Sequence, residues 1–264
     1  IAVAESENIN QISTAYIAAG DLKLQSAQYF PAALDYSKSI DIDSSNTALF
    51  NRGFVYLKLK EYEKALKDFS SLVRLNPKFK DANFNKGLAI AALDRCAEAI
   101  PCYEEELKTF KDNALAWKEK GNCEFKLQNF ESAAKSYEKS GELIFSDSVY
   151  YLASLSHFNN KSYLNTITAS DKARVNKTKM YEVYMVAGRA HVEMRNYKPA
   201  VEELKKAVAL KSNDEFLNYT LGLAQEANRE FEIAAATYEK LSNSVTYKDS
   251  VLLRGGICLA RTRE

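Results

Sequence analysis

Seven of the nine glycines in this 264-residue chain keep one spacing. Gly20, Gly53, Gly87, Gly121, Gly188, Gly222 and Gly256 stand 33, 34, 34, 67, 34 and 34 residues apart, and Ser154 divides the long interval into 33 and 34. Each lies inside an amphipathic helical pattern, where glycine costs about 1 kcal/mol relative to alanine. Its return at a fixed period therefore requires a compensating contact, and close approach of a second helix supplies one.

A second set of positions identifies that helix. Ala32, Ala65, Ala99, Ala133, Ala200 and Ala234 each follow the periodic residue by twelve, with Thr166 twelve after Ser154. Four residues further on stand Tyr36, Phe69, Tyr103, Tyr137, Ser170, Leu204 and Tyr238. A small residue at i and a large one at i+4 share a helical face, so a notch and a knob are presented together. Pro31 and Pro199 sit just inside the start of second helices, where a missing N–H is harmless, and Pro77 follows the end of one. Asp43–Asn46, Lys111–Asn113 and Lys211–Asp214 supply capping side chains ahead of first helices. No segment alternates at period two, so no sheet is expected.

Glycine at the eighth place, alanine at the twentieth, an aromatic at the twenty-fourth and a 34-residue period resemble the tetratricopeptide repeat family. The resemblance covers about residues 13–261 and implies an all-α, right-handed superhelical solenoid of antiparallel helix pairs. It predicts a single domain over 1–264 with repeats near 13–45, 46–79, 80–113, 114–146, 147–180, 181–214 and 215–248, and a partial repeat at 249–264. Repeat 147–180 departs, with Ser154, Thr166 and Ser170 at the three key places; it is expected to be either a weak, hinge-like link or a drifted but rigid one. The terminal helix from Asp249 carries Val251, Leu252, Leu253, Ile257 and Leu259. The preceding repeat, missing sequence or another molecule must cover them, with missing sequence preferred.

The resemblance also implies a concave wall formed by places 2, 5, 6, 9 and 13 of the first helices, where a partner's peptide or helix binds. Those places hold Phe50, Asn51 and Phe54, then Phe84 and Asn85, then Lys118, Asn122 and Lys126, then Tyr151, Arg189 and Tyr219. Asn51 and Asn85, one repeat apart, could each donate to and accept from a peptide backbone. Lys118 and Asn122 match half of the carboxylate clamp known in some relatives, but Leu152, Glu182 and Val186 stand where the other half is needed. The expected wall has an Asn/Phe half, an apolar half, and Lys118, Asn122, Lys126 and Arg189 as a polar ring between.

Other chemistry is not indicated. The chain carries 36 Lys and Arg against 35 Asp and Glu, and neither half is a polycation that counterion release would drive onto nucleic acid. Cys96, Cys102, Cys123 and Cys258 form no Cys-x-x-Cys pair and read as buried thiols of a reducing compartment. His157 and His191 share place 11 and read as packing residues; Glu104–Glu106 reads as a solvated outer face. No apolar run spans a membrane, and no nucleophile or phosphate-loop signature occurs. The expectation is a non-catalytic, cofactor-free and metal-free cytoplasmic interaction scaffold for a protein or peptide ligand. A chain beginning at Ile1 reads as a fragment. The alternatives are a self-assembling structural protein, forming homo-oligomers through its terminal repeat, and the recruiting arm of a larger enzyme.

Overall fold

The computed structural model describes residues 2–175 and 178–262, with side chains from residue 7 onward. Among these residues there are fifteen α-helices and no strands. The first helices of the repeats are α1 (Ala2–Gln25), α3 (Asn46–Lys58), α5 (Ala82–Ala92), α7 (Ala114–Lys126), α9 (Asp147–Asn159), α11 (Tyr181–Glu193), α13 (Glu215–Ala227) and α15 (Lys248–Arg261). The second helices are α2 (Tyr29–Ile42), α4 (Tyr62–Leu75), α6 (Cys96–Thr109), α8 (Phe130–Ile144), α10 (Tyr163–Arg174), α12 (Tyr197–Leu210) and α14 (Phe231–Glu239). Observed starts fall within two residues of the expected ones except at α1, which runs back eleven residues before Ser13.

The helices cluster into two compact units, one ending at Asn129 and one beginning at Phe130. In the N-terminal unit each helix from α1 to α7 packs on the next, and the first helices α1, α3, α5 and α7 also adjoin in sequence. The C-terminal unit repeats this from α8 to α15, with α9 beside α11 and α11 beside α13.

Five of the periodic glycines are notches for the large side chain sixteen residues later. A Cβ on Gly20 would stand 2.6 Å from Tyr36 Cε1, one on Gly53 2.9 Å from Phe69 Cε1, one on Gly87 2.6 Å from Tyr103 Cε1, and one on Gly188 2.7 Å from Leu204 Cγ. Gly222 stands in the same relation to Tyr238. These knobs are at most 1% exposed, so each notch is filled at interior packing density. In the divergent repeat the seam closes differently: Ser154 Oγ lies 2.6 Å from Ser170 Oγ and donates to the Thr166 carbonyl at 3.0 Å. All three residues are fully buried. A pair of hydroxyls has replaced ring-in-notch packing without opening the interface.

Seven of the eight first helices, α1 to α13, end in the same turn. Ala27, Lys60, Asp94, Gln128, Lys161, Arg195 and Arg229, all at place 15, have φ between 55° and 65°. Around Lys60, the Lys60 N–H donates to Leu57 O at 3.1 Å and the Glu61 N–H to Tyr56 O at 2.8 Å, the pair of bonds that closes a helix through a left-handed residue. None of the seven is glycine, so every repeat tolerates a left-handed side chain to reverse its direction.

Glu106 corrects the reading of the acidic run. Glu104 and Glu105 are exposed, but Glu106 is buried and accepts the Asp81 N–H at 2.9 Å and the Phe84 N–H at 3.3 Å. It satisfies two donors at the start of α5 from the second helix of the same repeat. Burial raises its pKa despite these two bonds. Glu106→Ala should cost about 1–3 kcal/mol by leaving both donors unpaired, whereas Glu106→Gln, whose one amide oxygen can accept only one of the two N–H groups, should be damaging to a lesser degree. Hydrogen exchange at the Asp81 and Phe84 amides measures the difference; equal protection in both variants would remove the cap from the account.

Candidate protein-interaction surface

In the N-terminal unit most of the expected wall residues are already engaged within the fold. Phe50 lies half-buried with ring centroids 5.9 Å from Phe69 and 5.3 Å from Phe79. Phe84 packs 6.1 Å from Tyr103. Asn51 Nδ2 donates to Asp21 Oδ1 at 2.9 Å, the same oxygen that accepts the Tyr36 hydroxyl at 2.7 Å. Asn85 is the clearest correction. It is only 6% exposed, and its amide donates to the Asp81 carbonyl of its own helix at 2.7 Å. A short polar side chain in a first turn reaches the backbone behind it, so the proposed two-step asparagine ladder does not form. Phe54 is half-buried with Lys58 Nζ 5.0 Å from its ring centroid.

Of the expected polar ring, Lys118 Nζ lies 3.6 Å from Glu119 Oε1, Asn122 Nδ2 donates to Glu119 Oε2 at 2.8 Å, and Lys126 pairs with Asp94 at the surface. Arg189 belongs to α11 in the C-terminal unit.

There the guanidinium of Arg189 sits 4.5 Å from the Phe158 ring and 5.6 Å from the Phe216 ring. It is thereby held by the first helices of three consecutive repeats, with cation–π attraction of about 0.5–2 kcal/mol per contact fixing its plane. Among the described residues no carboxylate pairs with it. Phe216 remains 43% exposed. On the same helices, half-buried Tyr151 packs in the core around Val183, and burial raises its pKa. Tyr219 stacks on Tyr247 at 4.6 Å and 20°. The C-terminal unit therefore brings Arg189 together with rings that a partner can reach. Sequence reading placed Arg189 and missed Phe158 as its clamp, because Phe158 is at place 12, outside the expected wall.

Titratable groups elsewhere read as structural. His157 Nε2 lies 3.2 Å from Glu138 Oε1, and this bond holds Glu138 below its ordinary pKa. Burial pushes His191 down. Burial likewise pushes Cys102, Cys123 and Cys258 up, the opposite of an activated thiolate. Cys102 is half-buried rather than buried. Among the described residues no cluster of three or more His, Cys, Asp or Glu could hold a metal ion.

Comparison with known proteins places this geometry in a family. Tetratricopeptide repeat models match residues 47–79, 84–141 and 181–214. The chain belongs to the tetratricopeptide repeat family. The C-terminal part of a tetratricopeptide repeat protein from Cytophaga hutchinsonii superposes with TM-score 0.74 at 16% identity, covering 90% of this chain and 98% of that one. Among curated relatives, the rat mitochondrial import receptor subunit TOM70 is 24% identical over 86% of this chain and 39% of its own length. Human tetratricopeptide repeat protein 28 is 34% identical over 30% of this chain and 3% of its own. The chain thus spans well under half of these relatives. Tetratricopeptide repeats are protein–protein interaction modules, and a scaffold role of that kind follows. No described helix of this tetratricopeptide array is long and apolar enough to cross a membrane.

Proposed function

We propose that the protein holds a peptide segment of a partner in the groove lined by its first helices, and that the segment presents an acidic side chain to Arg189 among apolar ones. The observation that carries this is the Arg189 guanidinium oriented by Phe158 and Phe216, with no carboxylate among the described residues paired with it. A planar fork already fixed in place loses little rotamer entropy on pairing with a carboxylate, and bidentate pairing gives direction as well as charge. The rings beside it supply the desolvated surround in which such a pair is strongest. TOM70 is by name an import receptor, a role of the same general kind. Phe50, Asn51, Phe54, Phe84, Lys118, Asn122 and Lys126 form a first-helix wall of the N-terminal unit by itself, and Asn85 is part of its fold.

Selection of displayed random peptides on the whole chain tests this. Enriched peptides should share an Asp or Glu flanked by apolar residues. Arg189→Ala should weaken them about 10- to 100-fold, the loss of one charge-assisted bond of roughly 1.5–3 kcal/mol, and Arg189→Lys should restore only part. Peptides whose affinity is unchanged by Arg189→Ala would place the site elsewhere.

A further inference from the structure

Seven residues before Arg189, α11 carries Glu182. Seven residues make nearly two full turns, so both side chains rise from one stripe of the helix, about 10 Å apart along it. Both are half-buried. Arg189 is held between the rings of Phe158 and Phe216. Glu182 lies close enough to Tyr151 of α9 that, after burial, its charge is the next cause of the raised pKa of that phenol. Met185 stands between them on the same stripe and packs against the core built from α12 and α13. Among the described residues no cation pairs with Glu182, just as no carboxylate pairs with Arg189. On α15 of the same unit, by contrast, Arg254 is paired with Glu226 of α13 at 2.9 Å. The face of α11 therefore offers two open charges of opposite sign, separated by an adaptable thioether.

A segment that meets Arg189 with an acid and runs along α11 must also pass over Glu182. Covering that carboxylate with apolar side chains alone would take it out of water with nothing in exchange, and a second acid there would add repulsion. A cation removes both costs. An extended chain advances about 3.3 Å per residue, so roughly three residues span the distance between the two charges. We infer that the segment bound through Arg189 carries, two to four residues from its acid, a lysine or arginine that pairs with Glu182. This rests on the reading of Arg189 given above and narrows the ligand to a dipolar stretch of polypeptide. It also fixes direction: the base lies over the start of α11 and the acid over its middle, and the reversed order sets like charge against like.

The experiment uses the whole chain, random peptides displayed on phage, and then the tightest Arg189-dependent peptide as a fluorescein-labelled synthetic probe. Enriched sequences should place Lys or Arg two to four residues from the acid, on one side of it. Glu182→Gln should weaken the probe about three- to tenfold and flatten its salt dependence. Glu193→Gln removes the same charge from the exposed end of α11 and should change affinity by less than about twofold. Glu182→Lys should weaken the probe further, and a probe whose base is replaced by Glu should recover affinity for that variant; a chain that had merely unfolded could not be rescued in this way. A probe that needs Arg189 but ignores Glu182→Gln overturns the inference and leaves the Arg189 reading standing. So do equal losses from Glu182→Gln and Glu193→Gln, which would show a general field instead of a pair. Enriched peptides indifferent to Arg189→Ala, or no enrichment at all, overturn both readings together.

Discussion

Alanine at position 87 should destabilise the protein, and alanine at position 256, the same place of the repeat, should stabilise it. In an exposed helix the change from glycine gains up to about 1 kcal/mol in both cases, from backbone entropy. At Gly87 the added Cβ must stand within 3.0 Å of three atoms of the Tyr103 ring. That ring is fully buried, with Phe84 alongside it and Ile90, Ala99 and Cys123 in the same core cluster, so it has no direction in which to retreat. Overpacking of this kind costs about 1–3 kcal/mol or more, enough to outweigh the helical gain. At Gly256 no such atom exists, and the helical gain stands alone. Urea unfolding and native-state hydrogen exchange on both variants measure the pair. Equal signs at the two positions would mean that the period reflects something other than ring-in-notch packing. Because each repeat touches only its neighbours, the loss at Gly87 should be read most strongly in the amides of α5 and α6 and fade along the array.

The notch-and-knob frame was legible because it is written in letters that recur: glycine, alanine and a ring at constant offsets, forced by one geometry that each helix pair must repeat. A second frame was present and harder to see. The residue just before the knob is an acid in three repeats, Asp35 and Asp68 buried and Glu203 half-buried. Their basic partners, Lys23, Arg52 and Arg174, come from different places of the period, so only one side of each pair repeats. The wall residues were the least legible. Helical periodicity selects a face, but it does not say that Asn85 will bond back to Asp81 or that Phe50 will turn between Phe69 and Phe79. Those outcomes depend on rotamers and on neighbours one repeat away. Arg189 was found by its place, while its distinguishing property, a ring on either side, arises only when α9, α11 and α13 lie side by side.

Asp68→Ala should be among the most damaging single changes in the N-terminal unit, about 2–4 kcal/mol. Arg52 meets Asp68 with two parallel bonds, Nε to Oδ2 at 2.8 Å and a terminal nitrogen to Oδ1 at 2.7 Å, and its other terminal nitrogen donates to Ser37 Oγ at 2.9 Å. One arginine thus joins α2, α3 and α4. The Asp68 side chain is 5% exposed and that of Arg52 19%. Breaking a fully buried pair costs about 3–5 kcal/mol because the remaining charge is stranded; the part of Arg52 that reaches solvent brings the expectation somewhat below that. The arithmetic of a cycle separates stranding from attraction. Removing both partners, Arg52→Ala with Asp68→Ala, should recover a good part of the loss, since no buried charge is left behind. A double variant no more stable than Asp68→Ala alone would show that the guanidinium had simply turned into water. The solvated pairs Lys108–Glu105 and Lys135–Glu131 should hardly register in the same assay, because water screens them and their long side chains must be immobilised to meet. What distinguishes Asp68 is its position one residue before a buried knob: the seam that hides Phe69 from water also hides the carboxylate, and only a guanidinium already in place makes that tolerable.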